Sequence, residues 1–261
     1  MPQPLRLVSL NVERSKHLSL ILPFLKRIQP DVLCLMEVME HDLPTIAEVV
    51  GQEHVFEPMC YMEHVGEAPG TQGIAIFSHY PITQSKVLYY HGKKEAIHIF
   101  DGNNKATTNN HMLLVAEIEA EGSAYKIGTT HFPVTPKGLP DEVQRKCVTS
   151  LLAILKQQGE IIFCGDFNAP RGGEIFAELA AHYKDNVPQK YTTSLDTAIH
   201  RAGPETLAAN ARAMGVLGQM VDSIFSTPGY TVSNLTMESG VSDHKALIAT
   251  ISKNLSAGKT S

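Results

Sequence analysis

Residues 5–37 read LRLVSLNVERSKHLSLILPFLKRIQPDVLCLME, and this stretch decides the fold. Leu5 to Leu10 is a short apolar run of strand character. From His17 to Gln29 the residues Leu18, Ile21, Leu22, Leu25 and Ile28 recur at helical spacing, a stripe that faces a core. Pro23 lies within it and predicts either a late helix start near Ser19 or a kink, because proline lacks the amide donor and crowds the preceding turn. Pro30 ends the helix. Asp31 to Met36 is then a continuous apolar run, the pattern of a strand covered on both faces. Strand, helix and strand in such close succession spell a βαβ unit with parallel strands. Polar residues stand where these strands end: Asn11 and Glu13 after the first, Glu37 after the second.

The same reading extends along the chain. Strands are expected over Gly73 to Phe77, Ile82 to Tyr90, His111 to Glu119, Ala124 to Thr130, Glu160 to Cys164, Val221 to Ser226, Tyr230 to Met237 and Ala246 to Ile251. A long helix is expected from about Leu139 to Gln158, stopped by Gly159. Strand runs broken by a few long helices, without an internal repeat, point to a layered α/β sandwich. Asp101 to Asn110 (DGNNKATTNN) reads as a surface loop tip. Met59 to Gln72 and Gly203 to Gly218 read as long functional loops, with a short helix over Glu205 to Met214 as the alternative for the second. The expected organisation is one domain over residues 1–253 and a frayed polar tail over 254–261.

Composition narrows the function classes. A chain of 261 residues can bury a large core. Its formal net charge of -5 offers no global attraction to nucleic acid, although Lys137, Arg145, Lys146 and Arg171 are candidates for a local basic groove. Cys34, Cys60, Cys147 and Cys164 include no C-x-x-C pair, so neither a disulfide framework nor a zinc knuckle is suggested. The start MPQPLRLVSL lacks a signal-peptide pattern, and no apolar run has membrane-spanning length. A cytoplasmic, monomeric globular protein is expected.

The strand-end residues carry the chemistry. In FCGDFNAP, Asp166 and Asn168 lie two residues apart on one side of an extended segment, and Gly165 permits a close backbone approach. An acid and an amide so placed suit a phosphoesterase, the acid orienting and deprotonating water and the amide holding a phosphate oxygen. An Asx-turn leaving a strand would account for the two singly. Asp222 in MVDSIF can fix the tautomer of His244 in VSDHKAL, a device for presenting a charged donor to phosphate. His131 in TTHFP is the second histidine singled out; the other ten are read as ordinary surface or core residues. Glu37, at the end of an apolar strand, needs a partner for its charge. Bound Mg²⁺ would supply one; an ion pair with Lys or Arg is the plain alternative.

Seven segments in order, SLNVE, LCLMEV, GIAIFSHYPI, TTHFP, GDFNAP, VDSIF and SDHKAL, give the chain a resemblance to the endonuclease/exonuclease/phosphatase superfamily over residues 5–251. The resemblance implies a DNase I-like fold: a four-layer α/β sandwich of two packed mixed sheets flanked by helices. It implies that Asp166 activates water, Asn168 stabilises the transition state, Asn11 bonds Asp166 or a phosphate oxygen, and His131 and His244, the latter set by Asp222, contact the phosphate. Glu37 becomes the principal Mg²⁺ ligand, with Glu13 nearby and Asp243 a further ligand or leaving-group helper. Mn²⁺ could replace Mg²⁺ in such an all-oxygen site.

The substrate implied is a phosphate ester, with DNA or RNA among the candidates. A nuclease or DNA-end phosphodiesterase leads. A phosphatase or phosphodiesterase on a small or lipid-linked phosphate is the alternative, and a non-catalytic scaffold is the reading outside enzymes. Ala169-Pro170 after the Asp-x-Asn unit departs from the Tyr-Arg of the inositol polyphosphate phosphatases. No asparagine-rich DNA-contacting segment follows Asn168, and the chain has no Trp to wedge into a base stack. Arg171 could grip a second phosphate or simply be solvated. Substrate choice falls to residues 59–72, 86–94, 101–110 and 191–218.

Overall fold

The computed structural model describes residues 2–63, 68–135 and 139–254. The opening βαβ unit is present as β1 (Leu5–Asn11), α1 (Leu18–Ile28) and β2 (Val32–Met39), with β1 and β2 parallel. Helix α1 starts at Leu18 and runs through Pro23. It ends at Gln29, whose left-handed conformation (φ 49°) returns its N–H to Leu25 O.

After a single 3-10 turn (Glu40–Asp42) come α2 (Leu43–Val50), β3 (Glu53–Met62), β4 (Gly70–Ser78) and β5 (Ile82–His91). A short turn of helix, α3 (Lys105–Thr108), precedes β6 (His111–Ala120) and β7 (Ser123–His131). The long helix α4 (Glu142–Gln158) begins where the Asp141 side chain accepts the Gln144 N–H at 2.8 Å, an N-cap that satisfies one orphan donor. The chain closes with β8 (Ile162–Asp166), α5 (Glu174–Ala180), β9 (Lys184–Asp185), α6 (Gly203–Met214), β10 (Asp222–Ser226), β11 (Tyr230–Glu238) and β12 (Ala246–Lys253).

The strands form two six-stranded mixed sheets, ordered β11-β12-β1-β2-β4-β3 and β5-β6-β7-β8-β10-β9. Among the described strands β1/β2 and β7/β8 pair in parallel, and a single parallel bridge joins Tyr61 of β3 to Ile99. Period-two alternation builds the layers. Leu5, Leu7, Val32 and Cys34 point inward and meet Leu114, Ile127 and Cys164 of the other sheet. Val8, Leu10, Leu33 and Leu35 point outward beneath α1 and α2. On the far side Leu113, Val115 and Phe163 pack under α4 and α5. Helix, sheet, sheet and helix are the four layers expected.

Several expectations need correction. Met59 to Gln72 is no long loop: β3 runs to Met62, β4 starts at Gly70, and Met62 pairs with Gly70 in an antiparallel hairpin. Gly203 to Gly218 contains α6, which matches the helix alternative. Helices α2, α3 and α5 and the strands β3 and β9 are additions to the expected set. Asp101 to Asn110 does lie at the surface, with Gly102, Asn103 and Asn104 exposed, and its flanks are tied to β3. Asn110 N–H donates to Met59 O, and Phe100 N–H donates to Tyr61 O. The tail from residue 255 onward lies outside the described residues.

Candidate active site

Both parallel strand pairs end at the same rim, and the polar residues collect there. Asn11 is the last residue of β1, His131 of β7 and Asp166 of β8, with His131 directly beside Asp166 in the ladder. Asp222 opens β10 opposite Asp166. Glu37 reaches the rim by a bulge: the β2/β4 register slips between Leu35 and Val38, and Glu37 takes φ 58°. A bulge of this kind re-aims a side chain that strict alternation would bury. Glu13, Arg14 and Asn168 also have positive φ, at 45°, 65° and 46°. Such conformations cost free energy in non-glycine residues and cluster at functional sites. Gly165 sits where an added Cβ would lie 1.9 Å from Thr130 O, so only glycine lets β8 approach β7 this closely.

Asp166 is the hub. Its Oδ2 accepts from Asn11 Nδ2 at 3.1 Å, and its Oδ1 accepts from the Asn168 N–H at 2.8 Å. His131 Nε2 and His244 Nε2 stand 3.6 and 3.7 Å from Oδ2. Asn11 Nδ2 also donates to Glu37 Oε1 at 3.2 Å, tying the two carboxylates together. Asn168 Nδ2 donates to Phe132 O at 2.9 Å and lies 3.0 Å from His131 Nε2. Behind His131, buried His111 donates from Nδ1 to His131 O at 2.7 Å. Burial pushes His111 down to about 3, so this ring is a neutral support.

His244 Nδ1 lies 2.8 Å from Asp222 Oδ2. Burial disfavours the imidazolium, but Asp222 and Asp166 outweigh it and hold His244 well above the usual histidine range. Asp222 is raised by burial and held down by the same partner. The direction for His244 favours an imidazolium facing the Asp222 carboxylate. Burial pushes the neighbouring Asp243 up to about 6, with His244 opposing and Glu37 and Glu13 reinforcing. Glu13, despite its burial, is held below its ordinary value by Lys16 and His17.

All nine residues singled out from the sequence meet here, although Asp166 and Asp222 with His244 form one tight donor cluster and Glu13 and Asp243 with His17 another. Glu37 belongs to neither. It is surrounded instead by Asn11, by Gln72 Nε2 at 3.2 Å and by Arg14 at 3.9 Å. Gln72, Arg14, His17 and His200 are site residues that the sequence reading missed, and two of the histidines assigned to ordinary roles are therefore at the site. Gln72 carried one signal: it directly precedes Gly73 of GIAIFSHYPI.

Arg171 is neither solvated nor aimed at the cavity. Its guanidinium pairs with Asp185 at 2.7 Å and donates to the carbonyls of Val187, Pro188 and Tyr191. Arg145 and Lys146 are paired with Glu174 and Glu142 on the surface, and Lys137 lies outside the described residues. The proposed basic groove is not assembled by the three that are described. The rim instead opens into a cavity of about 480 Å³ whose lining also carries Phe100, Asn103, Lys105, Asn109 and Arg201. Of the four expected specificity segments, 101–110 and 191–218 line this cavity and Met62 and Gln72 represent the first; no residue of 86–94 lines it.

A two-sheet sandwich with acid, amide and imidazole groups gathered at one rim is an arrangement suited to phosphoester chemistry. The model of the Endonuclease/Exonuclease/phosphatase family matches residues 8–244, and the chain belongs to that family, whose members hydrolyse phosphoesters and generally use divalent metals.

Solved structures with the same fold include the catalytic domain of human Nocturnin with a bound sulfate anion (19% identity, TM-score 0.69, 97% of this chain and 94% of that one covered). Two others are D. rerio TDP2 complexed with single-strand DNA product (16%, 0.63, 96% and 100%) and a Bacteroides thetaiotaomicron mannosyl-6-phosphatase (11%, 0.65, 95% and 99%). At these identities the likeness establishes the fold. No curated protein matches the chain in sequence. Among the described residues no helix is long and apolar enough to cross a membrane.

Proposed function

We propose that the protein is a divalent-metal-dependent phosphoesterase in which Asp166 activates the attacking water. The observation that carries this reading is the set of groups on one carboxylate. Asn11 and the Asn168 N–H fix Asp166, and two imidazoles approach the same Oδ2 from either side. Water held by Asp166 loses a proton to it as its oxygen attacks phosphorus, and the ester oxygen leaves on the opposite side. Imidazolium His244, charged and held by Asp222, is a fixed donor for a phosphoryl oxygen, and the Asn168 amide is a second.

The donor set fits a hard cation. Glu37, Asp243 and Glu13 offer only carboxylate oxygens, and mutual repulsion among these acids contributes to the raised pKa of Asp243. Glu37 would be the principal ligand, with Asp243 and Glu13 beside it. When bound, Mg²⁺ supplies electrostatic stabilisation of the charge that builds on the phosphoryl oxygens; Mn²⁺ suits the same oxygens.

A DNA end or another phosphodiester is the first substrate class. A small phosphate is the second reading, favoured by a cavity of small-molecule size and by the ion pairing of Arg145, Lys146 and Arg171. Turnover should be assayed with Mg²⁺ and with EDTA on bis-p-nitrophenyl phosphate, p-nitrophenyl phosphate, blocked and unblocked DNA and an inositol phosphate. Metal-dependent cleavage that falls about 10³-fold or more in Asp166→Asn, with the fold intact, is the expected result. Activity equal in wild type and variant would sink the reading.

A further inference from the structure

We infer that Lys105 and Arg201 form a second anion subsite, so that the preferred substrate carries another phosphate besides the one hydrolysed. This inference rests on the hydrolase reading and specifies its substrate. Both residues line the cavity that contains Asp166, Glu37 and His244. Among the described residues neither has a carboxylate within ion-pairing distance, whereas Arg145, Lys146 and Arg171 all do.

Lys105 is half-buried, and burial and then the charge of Arg201 both disfavour its ammonium. Arg201 itself is exposed, and Glu37 favours the Lys105 ammonium less strongly than Arg201 disfavours it. Two cations on one cavity, neither ion-paired among the described residues, repel each other, and a bound anion reverses the sign of that interaction.

The wall that holds them is built. The Asp101 carboxylate accepts from Asn103 N–H and Asn104 Nδ2, and Thr108 Oγ1 accepts the Asp101 N–H. Asn110 bonds Lys93 and Ala96 with its side chain. Together these contacts fix both ends of the turn that presents Lys105. Arg201 follows His200, whose ring is close enough to His244 and Asp166 to respond to their charges. The second subsite is therefore on the same cavity as the reacting phosphoryl group.

The remaining groups of the wall suit an organic body between the two phosphates. Phe100 puts a half-buried aromatic side chain on the lining. Asn109 Oδ1 is buried without a partner among the described residues, an acceptor for a hydroxyl or amino group. A nucleoside bisphosphate and a short oligonucleotide end both supply this chemistry, and the test separates them.

The double variant Lys105→Gln/Arg201→Gln should be compared with wild type on bis-p-nitrophenyl phosphate, adenosine 3′,5′-bisphosphate and a 5′-phosphorylated dinucleotide, with thermal melts to establish folding. The expected result is a loss of about tenfold or more in kcat/KM, mainly through KM, on whichever two-phosphate substrate is natural, and no loss on the one-phosphate diester. Equal losses on all substrates, or none, would overturn the subsite.

Binding of the bisphosphate and of adenosine 5′-monophosphate to Asp166→Asn protein in Mg²⁺, by calorimetry, provides a readout independent of turnover. Tighter binding of the bisphosphate that disappears when the two cations are replaced supports the subsite even where wild type hydrolyses nothing; in that case only the hydrolase reading falls. Equal binding of the two nucleotides, or no bisphosphate binding at millimolar concentration, overturns the subsite.

Discussion

His244 and Asp222 are both buried, with Nδ1 and Oδ2 2.8 Å apart, leaving His244 Nε2 directed at Asp166 at 3.7 Å. One nitrogen is thus committed to orientation and the other to the reacting centre. His244 is raised well above its ordinary value. Its protonation therefore contributes stability that is fully present below about pH 6.5 and is lost as pH rises through the folded-state value.

Asp222→Asn removes the largest contribution that raises His244. The alkaline limb of the pH–rate profile should move to lower pH, and kcat near neutrality should fall about 10²-fold. Rate profiles of both proteins check this. A variant whose alkaline limb coincides with that of wild type would show that Asp222 does not set the charge of His244.

Gln72, itself on the cavity lining, holds Glu37. Its Nε2 donates to Glu37 Oε2 at 3.2 Å, while Cys60 Sγ lies 3.4 Å from its Oε1. Removing such an outer partner typically costs about 10- to 100-fold in metal affinity. Gln72→Leu should raise the Mg²⁺ concentration for half-maximal activity by that factor and leave kcat at saturating Mg²⁺ nearly unchanged. A metal titration decides: an unaltered midpoint with a collapsed kcat would place Gln72 in a different role.

What was legible in the sequence divides along physical lines. Asn11, His131, Asp166 and Asp222 could be read because each interrupts or ends an apolar strand, and parallel strands bring such ends to one rim. Gln72 and Arg14 reach Glu37 only through the β4 pairing and a left-handed turn, which no local pattern encodes.

Strand β3 was hidden by Pro58, which argues against a strand interior; β3 lies at a sheet edge, where a missing donor is tolerated. Helices α2 and α5 span only eight and seven residues, too short for a decisive periodicity. Lys105 and Arg201, in polar segments far apart in sequence, line one cavity in a fold that ties the Asp101 to Asn110 segment to the β3 edge.

Arg171 immediately follows the GDFNAP segment, yet its bonds are structural. It joins β9 through Asp185 and holds three carbonyls of the following loop, and only 14% of its side chain is exposed. Arg171→Ala strands the Asp185 carboxylate and these acceptors. It should destabilise the protein by about 3 kcal/mol in urea denaturation, with KM little changed. A raised KM at unaltered stability would instead restore the phosphate-gripping role.

Asp243 is raised to about 6 from 3.8, so the fold favours its protonated form. That preference contributes stability present below the unfolded value and lost as pH rises through about 6. At about pH 8 without metal, the ionised side chain therefore costs on the order of 1–3 kcal/mol. Asp243→Asn removes the charge and should be more stable than wild type by that amount in EDTA, with the difference vanishing near pH 4.

Adding Mg²⁺ should reduce or reverse the gap, because wild type retains a carboxylate for the cation and gains more from binding. Denaturation at the two pH values, with and without Mg²⁺, makes the check. If Asp243→Asn is less stable than wild type in EDTA at the higher pH, repulsion among Asp243, Glu37 and Glu13 is not what a cation relieves at this rim, and the assignment of Asp243 as a ligand loses its physical basis.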